Sequence, residues 1–495
     1  MLFNSYEFIF VFLPLTFFIY FYLNKKRLTE ASKAFLVLSS LFFYSWWNIA
    51  YLPLILISIL FNFIIGKILS KNDTEKKKGL KKTFSRKSIL IFGIVCNIAL
   101  LAYYKYADFL IENFNFITNT NVNLLHLLLP LAISFFTFQQ IAYLVDSYRN
   151  ETKEYDFLNY SLFVTFFPQL IAGPIVHHKE MMPQFAEVKN KVRNYKNISL
   201  GIFIFSIGLF KKVVIADTFA VWATTGFDIA KNLNLLEAWA TSLSYSFQLY
   251  FDFSGYTDMA IGLALLFNIK LPINFNSPYK SQSLVDVWKR WHITLSNFVN
   301  KYIFNTIVKS YKKYTFGKGL FTLFLSMVII GLWHGASWMF VMFGAMHGVG
   351  LIINHLWKKK IKIPIPGFIG WILTFNFINI SMIFFRAKEW DDAIKVLSSM
   401  FSLDHVVLPQ VLQSKLAFLR SYNVEFGKWA DTIQGSDWTI LWLIFAFILI
   451  LCFKNSMEMK DTFKLNYKTV LLAVVLFIGG ILSLNKISEF LYFNF

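Results

Sequence analysis

A histidine in the middle of a long apolar run has the clearest chemical potential in this sequence. His334 lies in the segment 331–338 (GLWHGASW), inside a stretch that is predominantly apolar from Leu320 to Trp357. Ionisable side chains are costly at membrane depth and usually have a function there. A neutral imidazole can take a proton from an attacking hydroxyl, so His334 is a candidate general base. A hydrogen-bonded core histidine is the structural alternative.

The neighbours of His334 suggest how a site would be built around it. On one continuous helix, His334 and Trp338 are four residues apart, which predicts that the imidazole and the indole share a face. Gly331 and Gly335 would let a ligand or a neighbouring backbone come close.

His292 is the second candidate. Trp288, His292 and Ser296 are spaced four apart, which predicts that they line one helical face. Lys289 and Arg290 lie beside them, and this cationic edge suits a phosphorylated carrier such as coenzyme A or phosphopantetheine. An interfacial helix with an aromatic anchor is the structural alternative. Ser283 and Asp286 resemble a capping box that would start this helix just before Trp288.

Two carboxylates interrupt another apolar block. Asp252 and Asp258 flank Ser254 and Gly255, and we predict a helix break at 252–255. Buried acids need partners, so pairing with arginine or with backbone amides is the structural explanation of each one. A lipid-flipping or proton-coupled transporter would use such acids as well, which keeps that class open.

Composition determines the class of protein that must position these residues. The 495 residues are 56% hydrophobic and only 15% charged, and apolar blocks of membrane-spanning length recur along the chain. Spanning segments must satisfy their own backbone hydrogen bonds, so we predict an all-α polytopic membrane protein. The net charge of +20 falls between the apolar blocks, which favours cytoplasmic loops and membrane lipids over nucleic acid. Cys96 and Cys452 lie in apolar blocks, so no disulfide and no metal site are expected.

The order of apolar blocks and basic loops predicts the topology. We count about eleven spans, with the N-terminus outside and the basic loop 67–87 in the cytoplasm. The block 157–176 contains Pro168, Gly173 and Pro174 and has basic flanks. It is predicted to be a re-entrant segment, which requires protein or a water-filled cavity around its broken backbone.

Six sequence runs, taken together and in this order, resemble those of membrane-bound O-acyltransferases, and in particular the bacterial alginate O-acetyltransferase branch. The runs begin at Ser134 (SFFTFQ), Phe167 (FPQLIAGPI), Phe251 (FDFSGYTDMAIGL), Asn274 (NFNSPY), Trp288 (WKRWHITLS) and Gly331 (GLWHGA). After Ser296 relatives usually have a Trp-Leu-Arg-Asp-Tyr-like run, whereas this chain has Asn-Phe-Val-Asn-Lys-Tyr.

This resemblance implies a ring of helices around a tunnel through the membrane, and an acyltransferase whose essential histidine is His334, with His292 as the second signature histidine. It implies a cytoplasmic thioester donor, acetyl-CoA or a phosphopantetheine carrier, as a co-substrate, with no permanently bound cofactor. The acyl group would pass outward to a cell-surface polysaccharide, helped by an anchored, extracytoplasmic, esterase-like partner. The whole chain, 1–495, would be one domain in the bacterial inner membrane, with core motifs in 125–357 and C-terminal spans in 366–485.

We therefore predict His334 as the general base and His292 in a supporting role. Gln169 and Pro174 are assigned to the re-entrant piece that blocks one mouth of the tunnel. The other predicted substrate or tunnel residues are Trp288, Arg290, Ser296, Asp252, Ser254, Tyr256, Asp258, Asn276, Trp333 and Trp338.

Several alternatives remain open at this stage. A transporter would move its substrate without chemistry, and a subunit that only assembles an export complex would tolerate replacement of His334. Within the enzyme class, D-alanyl transfer to teichoic acids would use the same histidines with another donor. The acceptor itself, whether alginate, another exopolysaccharide, peptidoglycan or a partner-protein hydroxyl, is not determined by the sequence.

Overall fold

The computed structural model describes residues 1–77, 85–152, 156–484 and 490–491, and most of these residues are helical. The predicted all-α membrane class is confirmed. In the described part, seven helices are long and apolar enough to cross a membrane, and Asp437–Cys452 and Tyr467–Leu482 are shorter apolar helices. The count of eleven spans and the outward N-terminus remain predictions. Four lysines of the predicted cytoplasmic loops lie outside the described residues: Lys78, Lys81, Lys82 and Lys153.

The first half of the chain consists of helices of very different lengths. They are α1 (Leu13–Lys25), α2 (Thr29–Ser45), α3 (Leu52–Lys77), α4 (Arg86–Leu101), α5 (Ala107–Thr118), α6 (Ile133–Tyr148), α7 (Phe157–Thr165), α8 (Phe167–Leu170), α9 (His178–Ala186), α10 (Tyr195–Phe210), α11 (Asp217–Thr224) and α12 (Leu235–Leu266). Short π-helical turns join α4 to α5 and α10 to α11, so that Arg86–Thr118 and Tyr195–Ile229 are continuous helical runs.

The second half contains the hairpin of the central motif and a small sheet. Its helices are α13 (Leu284–Arg290), α14 (Ile293–Phe298), α15 (Asn305–Ser310), α16 (Phe316–His334), α17 (Trp338–Leu356), α18 (Gly367–Arg386), α19 (Trp390–Phe401), α20 (Gln413–Leu416), α21 (Asp437–Cys452), α22 (Ser456–Asp461) and α23 (Tyr467–Leu482). Strands β1 (Val406–Pro409) and β2 (Val424–Gly427) pair in parallel, with Val406 opposite Val424.

The chain forms two compact units. Unit 1 contains Met1–Leu209, Tyr256–Ile273 and Phe463–Asn494, and unit 2 contains Phe210–Gly255 and Asn274–Thr462. In unit 1, the buried amides of Asn62 and Asn97 exchange two hydrogen bonds of 3.1 and 2.7 Å and so join α3 to α4. In unit 2, the α16–α17 hairpin packs on α18 and α13. Both candidate histidines belong to unit 2.

Three local predictions are tested by the helix boundaries. The segment 157–176 is broken as predicted, since α7 ends at Thr165 and the four-residue α8 follows, and the backbone after it is buried. The asparagine-rich segment 105–124 has a single lysine and is predicted to be a loop, which is wrong over most of its length because the helical run continues to Thr118. The predicted break at 252–255 is also wrong, because α12 is one helix of 32 residues.

Candidate active site

His334 is the last residue of α16, at the closed end of a helical hairpin. Gly335 and Ser337 are extended, and α17 starts at Trp338 with Ser337 at its N-cap position. The predicted shared face of His334 and Trp338 is therefore wrong, because a turn separates the two residues. The imidazole is buried, whereas the Trp338 side chain is 55% exposed.

Glycines let the two helices of this hairpin touch along their backbones. A Cβ placed on Gly331 would overlap the Phe340 carbonyl oxygen, and one on Gly344 would overlap that of Met327. Small residues at such crossings are the usual device of closely packed membrane helices. Gly331 therefore admits a neighbouring backbone, which is one of the two possibilities predicted for it.

Aromatic rings surround His334. The ring centroid of Phe385, on α18, lies 4.9 Å from that of His334, and the ring of Phe343, on α17, lies 6.2 Å away. The Trp333 indole is 5.0 Å away. Such surroundings exclude bulk water from the imidazole, which would protect a thioester from hydrolysis.

Ionic contacts fix the end of α18 behind Phe385. The Arg386 guanidinium donates two hydrogen bonds to the Asp228 carboxylate, at 3.1 and 2.7 Å, and lies over the Phe227 ring. The Lys395 ammonium donates to the carbonyl oxygens of Phe227 and Ala230, both at 2.8 Å. Bidentate arginine contacts are geometrically strict, so they hold the wall of the His334 site in place.

His292 occupies a sharp turn between two short helices. α13 ends at Arg290, His292 has a left-handed backbone with φ 43°, and α14 starts at Ile293. The predicted common face of Trp288, His292 and Ser296 is wrong for this reason. The predicted start of α13 is confirmed, since the Ser283 hydroxyl accepts a hydrogen bond from the Asp286 amide. The Asp286 carboxylate instead accepts from Arg290 at 3.0 Å.

The turn at His292 places its imidazole next to Trp333, which also contacts His334. The His292 ring is fully buried, 4.8 Å from the Phe253 ring and 6.0 Å from the Trp333 indole. Trp333 therefore contacts both imidazoles, although 42 residues separate them in sequence. Burial lowers the pKa of His292 to about 3. The side chain is thus a neutral donor and acceptor at ordinary pH, which suits placement or polarisation of a carbonyl better than ionic binding.

Asn274 holds the turn that carries His292. Its side-chain oxygen accepts hydrogen bonds from the Thr294 amide at 3.2 Å and from the Thr294 hydroxyl at 2.6 Å. Its backbone carbonyl accepts from the Ile293 amide at 3.0 Å. These bonds satisfy the first N–H groups of α14, which lacks a cap from His292 itself.

We expect Asn274→Ala to lower about tenfold the acyl transfer that the family resemblance implies, without unfolding the chain. The substitution leaves the buried Thr294 amide without its acceptor, which costs about 1–3 kcal/mol and loosens the backbone at His292. Turnover of purified protein, together with its elution profile, measures both effects. Asn115→Ala is the matched control, because the Asn115 side-chain oxygen, near the end of α5, also accepts one amide and one threonine hydroxyl, from the exposed residues Val122 and Thr120. Equal activity of the two variants would contradict the role of Asn274.

The predicted residue Asn276 supports the same segment. Its backbone amide donates to the Arg290 carbonyl oxygen at 2.9 Å, and its side-chain oxygen accepts from Asn455 at 3.0 Å. The Arg290 guanidinium donates to the Asn276 carbonyl oxygen at 3.4 Å and to Asp286. Arg290 therefore helps to order the turn, in addition to any role toward a donor.

Trp288 is oriented by a chain of three side chains. Its indole N–H donates to His347 Nδ1 at 3.2 Å, and His347 Nε2 lies 3.0 Å from the Ser381 hydroxyl. That hydroxyl donates to the Ile378 carbonyl oxygen, so it accepts from an Nε2–H of His347. His347 is thus a hydrogen-bonded packing residue.

A cavity of about 360 Å³ opens beside Trp288 and Ser296 in unit 2. Its walls are parts of α13, α14 with the π-helical turn after it, α16 and α17. Ile330, one helical turn before His334, also lines it. The polar or charged residues in its lining are Trp288, Lys289, Ser296, Asn297, Asn300, Ser326 and His355.

Asp252 and Ser254 are buried inside the uninterrupted α12. Lys212 Nζ lies 2.8 Å from both Asp252 Oδ1 and Asp217 Oδ1, and all three side chains are largely or fully buried. The partner of Asp252 is therefore a lysine on the run Tyr195–Ile229, and not an arginine or a helix end as predicted. Neutralisation by Lys212 removes the reason to break the helix, and Gly255 alone costs only about 1 kcal/mol.

The remaining predicted residues lie in unit 1 and are all buried. Tyr256 stacks between Phe3 and Phe490, with ring centroids 4.9 and 4.4 Å away. The Gln169 side chain donates to the Phe163 carbonyl oxygen at 2.8 Å. Asp258 and Pro174 complete this set. Roles of these residues in a tunnel wall or a blocked mouth remain predictions.

Known proteins resemble this chain over almost its whole length. Residues 145–388 match the family model described as the membrane-bound O-acyltransferase family. A peptidoglycan O-acetyltransferase of Helicobacter pylori is 44% identical over 100% of this chain and 98% of its own length. The chain belongs to the membrane-bound O-acyltransferase family.

Two further relatives indicate the branch of the family to which this membrane-bound O-acyltransferase belongs. The probable alginate O-acetylase AlgI of Pseudomonas putida is 33% identical over the full length of both chains. A teichoic acid D-alanyltransferase of Streptococcus thermophilus is 27% identical over 52% of this chain and 68% of its own. The chain is thus a multi-pass membrane enzyme that transfers acyl groups to oxygen, in the branch of the alginate O-acetylases.

The sequence interpretation missed two residues of this O-acyltransferase. Asn274 opens one of the six runs, but only Asn276 was selected from it. Lys212 stands next to Lys211 in an apolar block whose composition predicts an ordinary span. A lysine at that depth is itself a signal, because it requires a buried carboxylate as partner.

Proposed function

We propose that this enzyme passes an acetyl group from a cytoplasmic thioester to hydroxyls of a cell-surface glycan. The observation that supports it most directly is the buried cluster of His292, Trp333 and His334 at the end of an apolar hairpin. The donor is acetyl-CoA or an acetylated phosphopantetheine carrier. The enzyme resides in the bacterial inner membrane with its N-terminus outside, and an anchored, esterase-like, extracytoplasmic partner assists the transfer.

In this mechanism His334 is the general base. It accepts the proton of the acceptor hydroxyl as the oxygen attacks the thioester carbonyl carbon. The carbon–sulfur bond then breaks, and the imidazolium returns the proton to the leaving thiolate. His292, held neutral by its burial, donates an N–H to the carbonyl oxygen or positions the thioester arm. Trp333 keeps the two imidazoles at a fixed separation.

The cavity beside Trp288 is the proposed place for the thioester arm. Its volume of about 360 Å³ is within the range of ligand pockets, about 300–1,000 Å³. Lys289 offers a cation for a phosphate, and the hydroxyl and amide groups of Ser296 and Asn300 offer hydrogen bonds to a pantetheine chain. Ile330 lines this cavity and belongs to α16, the helix that ends at His334.

Peptidoglycan is the favoured acceptor. The relative named for peptidoglycan O-acetylation is 44% identical, whereas the alginate O-acetylases are 33–35% identical. D-alanyl transfer is the second candidate, supported by the more distant teichoic acid relatives.

Mass analysis of cell-surface polymers tests this function. We expect cells that lack the chain to lose O-acetyl esters from peptidoglycan, and cells complemented with the unaltered chain to recover them. Loss of alanyl esters instead would support the second candidate. Unchanged acetyl and alanyl esters in peptidoglycan, teichoic acid and exopolysaccharide would contradict the proposal.

A further inference from the structure

A second cavity lies in the long segment after α18, which we name the outer segment (387–437). It starts two residues after Phe385, whose ring contacts His334, and it contains α19, β1, α20 and β2. The alternation of apolar spans and basic loops predicts that the span 366–385 leads out of the cytoplasm into this segment, on the side of the acceptor. The inference below rests on the proposed function, because it concerns the acceptor of the same transfer.

The cavity opens where the two parallel strands end. Gln410 follows β1 and Lys428 follows β2, and both residues line a volume of about 500 Å³. Asp431, Ser436 and Asp437 supply the other polar side chains of the lining. These groups offer an amide, an ammonium, a hydroxyl and two carboxylates, which are the partners that sugar hydroxyls and acetamido groups require.

The floor of this cavity is built from buried, hydrogen-bonded residues. The buried Trp429 donates its indole N–H to the Asp437 carboxylate at 3.1 Å, and its carbonyl oxygen accepts from Asn234 at 2.9 Å. The Glu237 carboxylate, also buried, accepts from the Thr432 amide at 2.9 Å. Two residues at the start of α12 thus hold the loop 429–432 in shape before any ligand arrives, which lowers the cost of binding.

The negative charge of the outer segment favours uncharged glycans over anionic ones. Residues 387–437 contain seven acidic and five basic residues, whereas the whole chain carries +20. The cavity itself has two carboxylates and one ammonium group, and Lys428 Nζ lies 4.0 Å from Asp431 Oδ1, so one net negative charge remains. A polyuronate or a polyphosphate would meet like charge there, and such juxtaposition discriminates strongly against a partner. An uncharged glycan strand meets only hydrogen-bonding groups.

We infer that the cavity lined by Gln410, Lys428, Asp431, Ser436 and Asp437 binds an uncharged, hydroxyl-rich glycan strand, and so selects the acceptor.

Saturation-transfer NMR on the detergent-purified full chain tests this inference. The probes are a tetramer of N-acetylglucosamine and, as the polyanion, an oligomer of guluronate. We expect the unaltered protein to bind the neutral tetramer in preference to the polyanion. The double variant Gln410→Ala/Asp431→Ala should weaken tetramer binding at least tenfold. Equal binding of the tetramer by the double variant, or preferential binding of the polyanion, would overturn the inference.

A charge-reversal pair separates the cavity from the general charge of the segment. Asp431→Lys should raise guluronate binding, whereas Glu425→Lys should change it little. Glu425 is exposed on β2, in the same segment, and does not line the cavity. If both variants raised guluronate binding equally, the selectivity would come from the overall charge of the segment. The inference that the cavity is its source would then be wrong.

Thioester consumption by the unaltered protein is measured in parallel. If acetyl thioester is not consumed with any acceptor, the proposed function fails. If the thioester is consumed but the cavity variants leave tetramer binding unchanged, only the glycan inference fails.

Discussion

His334→Gln is expected to lower acetyl transfer by about 10²–10⁴-fold, the usual contribution of a positioned general base. Glutamine fills much of the space between Phe385 and Trp333 and keeps hydrogen-bonding capacity, but its amide cannot accept a proton at neutral pH. The loss should appear in kcat and kcat/KM equally, because the proton is transferred only in the transition state. Transfer from labelled acetyl thioester to a soluble glycan, with purified protein, provides both constants.

The control for this prediction is another histidine of the same chain. His405 is exposed in the outer segment, before β1, and its backbone carbonyl oxygen accepts a hydrogen bond from the Leu235 amide. His405→Gln should retain transfer. Full transfer by a correctly folded His334→Gln protein would remove His334 from the mechanism and would assign the proton transfer to another group.

Lys212→Met is expected to cost about 3–5 kcal/mol of stability, because it leaves two carboxylates in a buried site without their cation. In the native protein Lys212 Nζ lies 2.8 Å from each carboxylate, and the exposures of the Lys212, Asp217 and Asp252 side chains are 3%, 13% and 2%. Such a loss is a large fraction of the stability of a typical domain. We expect little monodisperse protein after detergent extraction and a lower thermal midpoint for the remainder.

The matched rescue is the triple variant Lys212→Met/Asp217→Asn/Asp252→Asn. It removes all three charges and keeps the side-chain volumes, so it should recover much of the lost stability. Recovery with full activity would show that the triad is structural. Recovery of folding without activity would instead assign it a role in transfer. A Lys212→Met protein as stable as the native one would contradict the ion triad.

The helical class can be predicted from the sequence, and the structure confirms it. The sequence also selects His334 and His292 as candidates, but it does not predict the positions of their side chains relative to their neighbours. Long apolar blocks must become helices in a membrane, whatever their neighbours do. The end of a helix depends on contacts that are distant in sequence. α13 ends at Arg290, and Asn274, 19 residues before the first residue of α14, caps that helix from outside. The left-handed backbone of His292 is not indicated by the spacing of Trp288, His292 and Ser296.

The ion pair of Asp252 could not be predicted either, because its partner is distant in the sequence. Asp252 looked like a helix breaker because its partner, Lys212, stands 40 residues earlier on another helix. Conversely, Gly331 and Ser283 were interpreted correctly, since a close backbone approach and a helix cap are local needs. Features that depend only on a short segment, such as a helix cap or a glycine at a close helix contact, could be predicted from the sequence.

The backbone contact between α16 and α17 also restricts how substrates travel. With the carbonyl oxygens of Phe340 and Met327 pressed against Gly331 and Gly344, these two helices have no gap that an acyl chain could part. A donor dissolved in the bilayer therefore cannot slip sideways between them to reach His334. The hairpin thus closes this one lateral route, and any donor has to approach His334 past another face of the site.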